Sequence, residues 1–418
     1  MTDAPSLQER FAESIGQLLG PDFPDTIGLA VSGGGDSMAM LALAHNWTRD
    51  WGVKLRVVTV DHGLRPEAAD EAAMVAAECA TLGWPHDTLK WTGWDRSGNL
   101  QDAARAARLR LIDDWRGDTR DVLFAHTADD QAETVLMRLA RGSGVDGLSG
   151  MAAIRQVGDM RVVRPLLGER REDLRHYCRV LQVPWADDPT NEDRSYDRVR
   201  MRQLMGVLEA EGIGVQTLSD TAARLARAQV ALKARAADVF GRIGSETLGT
   251  LRLDRDGFAA VERDTQLRIL AAAIQWIGTQ PYKPRADALD ALLDRAVAGG
   301  GGTLGGVEIT ATKDALNLCR ELNAVADLVC APSQTWDARW HLIGQAPEDS
   351  QIAPLGQNGW QQIADKATAT LPHRLALSLP ALFDQGGNLL ATAAFRPEEA
   401  EIRFELRAQQ SFQDFLSH

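Results

Sequence analysis

The chain has 418 residues, 44% of them hydrophobic and 25% charged, with a formal net charge of −13. That length exceeds one ordinary core and predicts two or three globular domains. The acidic balance argues against a broad basic face, so DNA is not an expected partner, and no apolar stretch is long enough to make a membrane one. Residues 1–5, Met-Thr-Asp-Ala-Pro, carry neither the basic flank nor the apolar core of a signal peptide, and a cytoplasmic location is expected. Cys79, Cys178, Cys319 and Cys330 are widely spaced with no Cys-x-x-Cys, which speaks against a zinc site or redox pair.

In chain order, strand-like runs fall at 26–31, 55–60, 87–91, 121–125 and 161–167. Helical stretches fall between and after them, at 37–51, 67–82, 100–115, 129–141 and 169–181. Repeated strand–helix alternation predicts an α/β domain with a parallel sheet and helices on both faces. Ligands in such a sheet bind at the carboxyl ends of the strands. A helix over 197–211 closes this domain, with a break at 212–214. Helical zones follow at 218–239, 263–277 and 285–297, then a glycine run at 299–302 and strands with a turn over 303–310. From about Pro332, short strand-like pieces with Trp336, Trp340 and Trp360 suggest a small α+β tail. The expected division is 1–213, 214–328 and 329–418.

The first strand runs into Ser32, Gly33, Gly34, Gly35, Asp36 and Ser37, a glycine-rich turn that opens a helix. Consecutive glycines let the backbone approach a ligand, and the helix start offers unpaired N–H groups to an anion. Asp36, a carboxylate among phosphates, makes sense only if a cation such as Mg²⁺ accompanies them. No Gly-Lys-Ser/Thr follows, so this is not a Walker loop.

At the end of the fourth strand, Asp129, Asp130 and Glu133 open a helix. Asp130 and Glu133 share a face and could clasp an ammonium ion, while Asp129 could face a metal with Asp36. The same residues also read as a common acidic first turn. Arg105 could neutralise phosphate charge, or be an ordinary surface arginine. Arg141, Gly142 and Gly144 begin a loop with further glycines at 147 and 150, either a helix C-terminal turn or a lid over substrate. Residues 194–202 carry Arg194, Arg198, Arg200 and Arg202 against Asp197, a solvated helix face or an RNA-phosphate patch.

The turn at 32–37 resembles the PP-loop of the ATP pyrophosphatases, which cleave ATP between its α- and β-phosphates. Together with 61–65, 101–105, 126–134, 141–151, 164–167 and 188–191, it resembles the tRNA(Ile)-lysidine synthase family. The resemblance is motif-specific over about 25–205 and looser beyond. It implies an adenine nucleotide alpha hydrolase-like first domain, then a helical domain and a small α+β domain, both gripping tRNA. It implies ligation of L-lysine to the wobble cytidine of a CAU-anticodon tRNA(Ile), with ATP and Mg²⁺. On that resemblance Ser32 to Ser37, Asp61, His62, Arg105 and His126 would bind ATP. Asp36 and Asp129 would hold Mg²⁺, and Asp36, Arg105 and Asp129 would serve catalysis. Asp130 and Glu133 would bind lysine, and Arg194, Arg198 and Arg202 would bind tRNA. Many members carry a second histidine where this chain has Thr127.

Two other functions fit a PP-loop. A tRNA thiolase would present catalytic or clustered cysteines, but Cys79 and Cys178 fall in expected helices away from the strand ends. A non-catalytic ATP-dependent RNA-binding module would be expected to lose Asp36, Asp129 or Glu133, and all three are present.

Overall fold

A computed structural model describes residues 5–63, 67–92, 100–187, 197–280, 282–395, 401–406 and 411–417. Its contacts divide the chain into two compact units, 1–229 and 230–418.

The first unit opens with α1 (Leu7–Leu19), which the sequence reading did not anticipate. Ser6 and Glu9 cap it reciprocally, and Phe11, Ile15 and Leu19, four apart, are buried. The alternation then runs β1 (Thr26–Ala30), α2 (Gly35–Trp51), β2 (Lys54–Asp61), α3 (Glu67–Leu82), β3 (His86–Lys90), α4 (Leu100–Trp115), β4 (Asp121–Phe124) and α5 (Ala128–Leu139). After these come α6 (Val145–Leu148), β5 (Ile154–Val157), β6 (Met160–Val163), α7 (Arg171–Leu181), α8 (Asp197–Ala210) and α9 (Val215–Ile243), a helix that contains the division between units.

The sheet order is β3-β2-β1-β4-β6-β5. All neighbours pair in parallel except β5, an antiparallel edge strand. The expected strand 161–167 is therefore shorter, and a hairpin turned at Gly158 precedes it. Both faces of β1 are buried. Ile27 and Leu29 join a core with α1, α2 and α7, whereas Ala30 packs with Val58, Ile112, Val122 and Phe124 on the other side. Each buried Ile, Leu, Val or Phe among them contributes about 1.5–3 kcal/mol by leaving water. The chain progresses outward from β1 to β3, then returns to place β4 on the other side of β1. This switch point leaves a crevice where the segments after β1 and β4 face each other.

In the second unit, β7 (Gly244–Thr247), β8 (Thr250–Asp254), β9 (Gly302–Leu304), β10 (Val307–Ala311) and β11 (Ala315–Arg320) form a sheet ordered β7-β8-β11-β10-β9. Its pairs are antiparallel. Helices Arg263–Gly278 and Ala286–Val297 share its core with Phe240, Phe258 and Phe412. A separate cluster around Trp336, Trp340 and Trp360 holds the short strands of the tail. No helix among the described residues is long and apolar enough to cross a membrane.

Candidate active site

The turn after β1 is tied by its own residues. The Ser32 N–H donates to Ser37 Oγ at 3.1 Å, and the Ser37 hydroxyl donates to the Gly34 carbonyl at 2.9 Å. Gly33 has φ of +89°, a conformation that favours glycine. Gly34 caps α2 without a side-chain hydrogen bond, leaving that end of the helix open to a ligand. The thiol of Cys178 supports the turn from below, donating to the Gly35 carbonyl at 3.7 Å.

The turn forms one wall of a cavity of about 600 Å³. Ser32, Gly34, Gly35, Asp36, Ser37, His126, Asp130, Arg198 and Arg202 all line it, so the segments after β1 and β4 meet there, with two arginines of α8. Gly33, Asp61, His62, Arg105, Asp129 and Glu133 are not on that lining. Asp61 ends β2 and His62 follows it; Asp61 accepts from the Gly63 N–H at 2.8 Å and His62 meets the Trp91 ring edge-on. The Nδ1 of His62 is buried without a partner, and desolvation holds the ring below its ordinary pKa. Leu64, Arg65, Arg194 and residues 188–191 lie outside the described residues.

Arg171, at the start of α7, was not singled out by sequence reasoning. Its Nε donates to Asp36 Oδ2 at 3.0 Å and its Nη2 to Asp130 Oδ1 at 3.1 Å, while Nη1 is 3.5 Å from Glu133 Oε1. Burial alone would lower its pKa, but Asp130, Asp36 and Glu133 outweigh that and raise it. The expected common face of Asp130 and Glu133 is real, and an internal guanidinium stands at it. Glu133, 2% exposed, also accepts from Arg202 Nε at 2.6 Å, and its Oε2 has no partner. Asp130 caps α5 reciprocally with Thr127, accepting from the Thr127 N–H and hydroxyl, each at 2.9 Å. Burial pushes the Asp130 carboxyl up, yet Arg171, the Thr127 N–H and His126 together bring it below its ordinary value. Nothing local distinguishes Arg171 among the 39 arginines; only its contacts do.

Asp36 is held above its ordinary pKa by burial, against the opposing pull of Arg171. Its Oδ1 is buried without a partner, an atom suited to a cation. Asp129 Oδ2 accepts from the Arg171 N–H at 2.8 Å and lies 3.5 Å from Arg170 Nε. Among the described residues no cluster of three His, Cys, Asp or Glu is arranged to hold a metal.

His126 Nδ1 accepts from Arg164 Nε at 3.2 Å, so the neutral ring carries its proton on Nε2. Desolvation, opposed in part by Asp130, takes its pKa down to about 3. After α5, Arg141 lies 3.7 Å from Asp197. The Gly142–Gly150 stretch is anchored at its far end: Arg138 Nη1 donates to the Gly147 and Gly150 carbonyls, and Gln131 bonds Met151 through both backbone groups. A Cβ on Gly150 would meet Gln131 Oε1 at 2.6 Å.

A profile of the PP-loop domain family matches residues 7–208. The chain is 40% identical over 406 residues to a tRNA(Ile)-lysidine synthase of Ruegeria pomeroyi, covering 94% of this chain and 95% of the relative. It is 41% identical over 336 residues to a tRNA(Ile)-lysidine synthase of Methylobacterium nodulans, covering 77% of this chain and 98% of the relative. Among solved structures it is similar to the U34-tRNA thiolase NcsA from Methanococcus maripaludis, with 16% identity and a TM-score of 0.45 over 52% of this chain and 78% of that one.

Proposed function

The chain belongs to the tRNA(Ile)-lysidine synthase family, ATP-using ligases that form lysidine on tRNA, and from that premise we propose how this site divides the work. ATP binds with its phosphates on the turn at 32–37, and a CAU-anticodon tRNA(Ile) places its wobble cytidine in the cavity, out of the base stack. The cytosine O2 attacks the α-phosphorus, diphosphate leaves, and the adenylated carbon 2 becomes electrophilic. The ε-amine of L-lysine then attacks carbon 2, loses a proton, and AMP departs with the oxygen.

One observation carries this reading: a phosphate-binding turn and the Asp130 carboxylate line one cavity large enough for a nucleotide and an amino acid. Asp130 and Glu133 bind the lysine cation through charge-assisted hydrogen bonds worth about 1.5–3 kcal/mol each, with Arg171 and Arg202 drawn aside. The partnerless Glu133 Oε2 supports this, being a buried acceptor with capacity to spare. His126, kept neutral, offers its Nε2–H as a donor to a nucleobase or phosphate oxygen. Asp61 and His62 border the nucleotide, and Arg194, Arg198 and Arg202 contact tRNA. The loop begun by Arg141, Gly142 and Gly144 closes over substrate.

The donor set fits Mg²⁺ at Asp36, whose Oδ1 is unpartnered, with Asp129 as the second carboxylate. When bound there, the ion neutralises polyphosphate charge and favours departure of diphosphate.

The test is incorporation of labelled L-lysine into an unmodified CAU-anticodon tRNA(Ile) transcript, with Asp36→Ala as control. Incorporation that requires ATP and the wobble cytidine supports the reading. Its absence, with ATP bound to folded protein, overturns it.

A further inference from the structure

A second cavity, of about 40 Å³, adjoins the first and shares Arg108, Phe124 and His126 with it. Its other polar walls are Arg105, Arg155 and Arg164, and no carboxylate lines it. Among the described residues, none of these four guanidiniums is in an ion pair. Arg161, on the neighbouring strand, shows the contrast: it is paired with Asp121 at 2.5 Å. The Arg108 guanidinium stands 5.1 Å over the Phe124 ring, and desolvation followed by Arg105 pushes it down to about 10. Arg164 is buried, spends its hydrogen bonds on His126 Nδ1 and the Ala152 carbonyl, and is likewise pushed down to about 10 by desolvation, Arg105 and Arg155. Arg105 is lowered by desolvation, Arg198 and Arg155, and Asp102 offsets only part of this.

Four positive groups therefore face a small space without an internal counter-charge. Arg108 and Arg164, withdrawn from water and crowded by the more exposed Arg105 and Arg155, are costly as charges unless an anion joins them. The space holds a few water-sized spheres, enough for a phosphoryl group and too little for a base. The guanidiniums also form a run. Arg198 and Arg202 line the large cavity, Arg108 stands on the shared wall, and Arg105, Arg164 and Arg155 line the small one. Arg155 ends the run, exposed on edge strand β5. A polymer with a phosphate at every residue uses such a run along its length, whereas one nucleotide engages only one end.

We propose that the small cavity seats a backbone phosphodiester of the substrate RNA, beside the nucleotide held in the large cavity and separate from the ATP phosphates on the turn at 32–37. This rests on the reading above, which puts ATP on that turn.

The informative variants are Arg155→Gln and Arg155→Glu, because an exposed edge-strand side chain can be changed without opening the core. Melting curves confirm that both fold. Binding of tRNA transcript is measured across a salt series, and binding of a non-hydrolysable ATP analogue in parallel. Arg155→Gln should weaken tRNA binding about tenfold and make the slope of log K against log salt shallower by about 0.7–0.9. Arg155→Glu should weaken it further, with analogue affinity unchanged in both. Loss of analogue affinity with tRNA binding intact would assign the cavity to ATP and overturn the proposal. So would no change in either, or equal effects of Gln and Glu. Lysine incorporation by the wild-type protein is followed separately. If it fails while the salt-dependent Arg155 effect persists, the reading of the reaction falls and the phosphodiester seat stands.

Discussion

Arg171 Nε lies 3.0 Å from Asp36 Oδ2, joining the start of α7 to the turn after β1 across 135 positions of sequence. The same guanidinium reaches Asp130 and Glu133 on α5. Three carboxylates from two strand ends thus converge on one internal cation. The other cations that suit such a place are a divalent metal and an alkylammonium, the two that the proposed reaction brings there.

Arg171→Gln follows directly. It leaves three largely buried carboxylates facing one another, and breaking a buried pair costs about 3–5 kcal/mol. For a unit of this size the melting temperature should fall by about 10 °C. Millimolar Mg²⁺ should restore more of that loss in the variant than it adds to the wild type. Equal Mg²⁺ shifts in both proteins would show that Arg171 and the metal do not share these carboxylates.

Asp36→Ala should reduce diphosphate release by about 100-fold or more, the scale seen when one preorganised charge is removed from a transition state. The fold should persist, because burial already penalises the ionised Asp36 carboxyl and raises its pKa. The checks are a diphosphate-release assay and a circular dichroism spectrum. Normal release would discard the metal role.

Glu133→Gln removes the charge but keeps the shape. KM for lysine should rise about tenfold, matching the loss of one charge-assisted bond, while KM for ATP moves by less than about twofold. Because Glu133 also accepts from Arg202 Nε at 2.6 Å, Arg202→Gln is the companion. If Arg202→Gln reproduces the lysine effect, Glu133 acts by holding Arg202 and not by clasping the ammonium.

These residues differ in how far the sequence announces them. The turn at 32–37 is legible because its signal is local: an apolar strand, three glycines, then a helix. The meeting of that turn with Asp130 follows from strand–helix alternation, which predicts a parallel sheet with its ligands at the strand ends. Helix α1 carries a local signal in the Ser6–Glu9 capping pair and the four-residue spacing of Phe11, Ile15 and Leu19, but it is a single amphipathic helix that precedes the strand–helix alternation and stands outside that pattern. Strands β7 and β8 hide because each is four or five residues long, with Leu251 and Leu253 alternating beside charged neighbours. Arg171 was invisible for another reason. Its role depends on contacts 41 and 135 positions away, and no local pattern separates it from the adjacent Arg170.

His126 gives the clearest dependence on pH. Desolvation, with Arg164 donating to Nδ1, holds its pKa near 3 against an ordinary value of 6.5. The folded protein thus binds the neutral ring, so its contribution to stability is fully present above about pH 6.5. It is lost progressively as pH falls from there toward 3, at up to about 1.4 kcal/mol per pH unit. Asp130 works in the same sense but at lower pH, since its pKa lies below the ordinary carboxylate value. Between pH 6.5 and 5, His126 should therefore account for about 2 kcal/mol of lost stability. His126→Gln keeps an acceptor for Arg164 and cannot titrate. Urea unfolding at pH 7 and pH 5 should show a smaller loss in the variant by that amount, with His45, His62 and His86, also lowered by desolvation, contributing equally to both proteins. Parallel losses in variant and wild type would mean that the His126 ring is hydrated and free to take up a proton in the folded state.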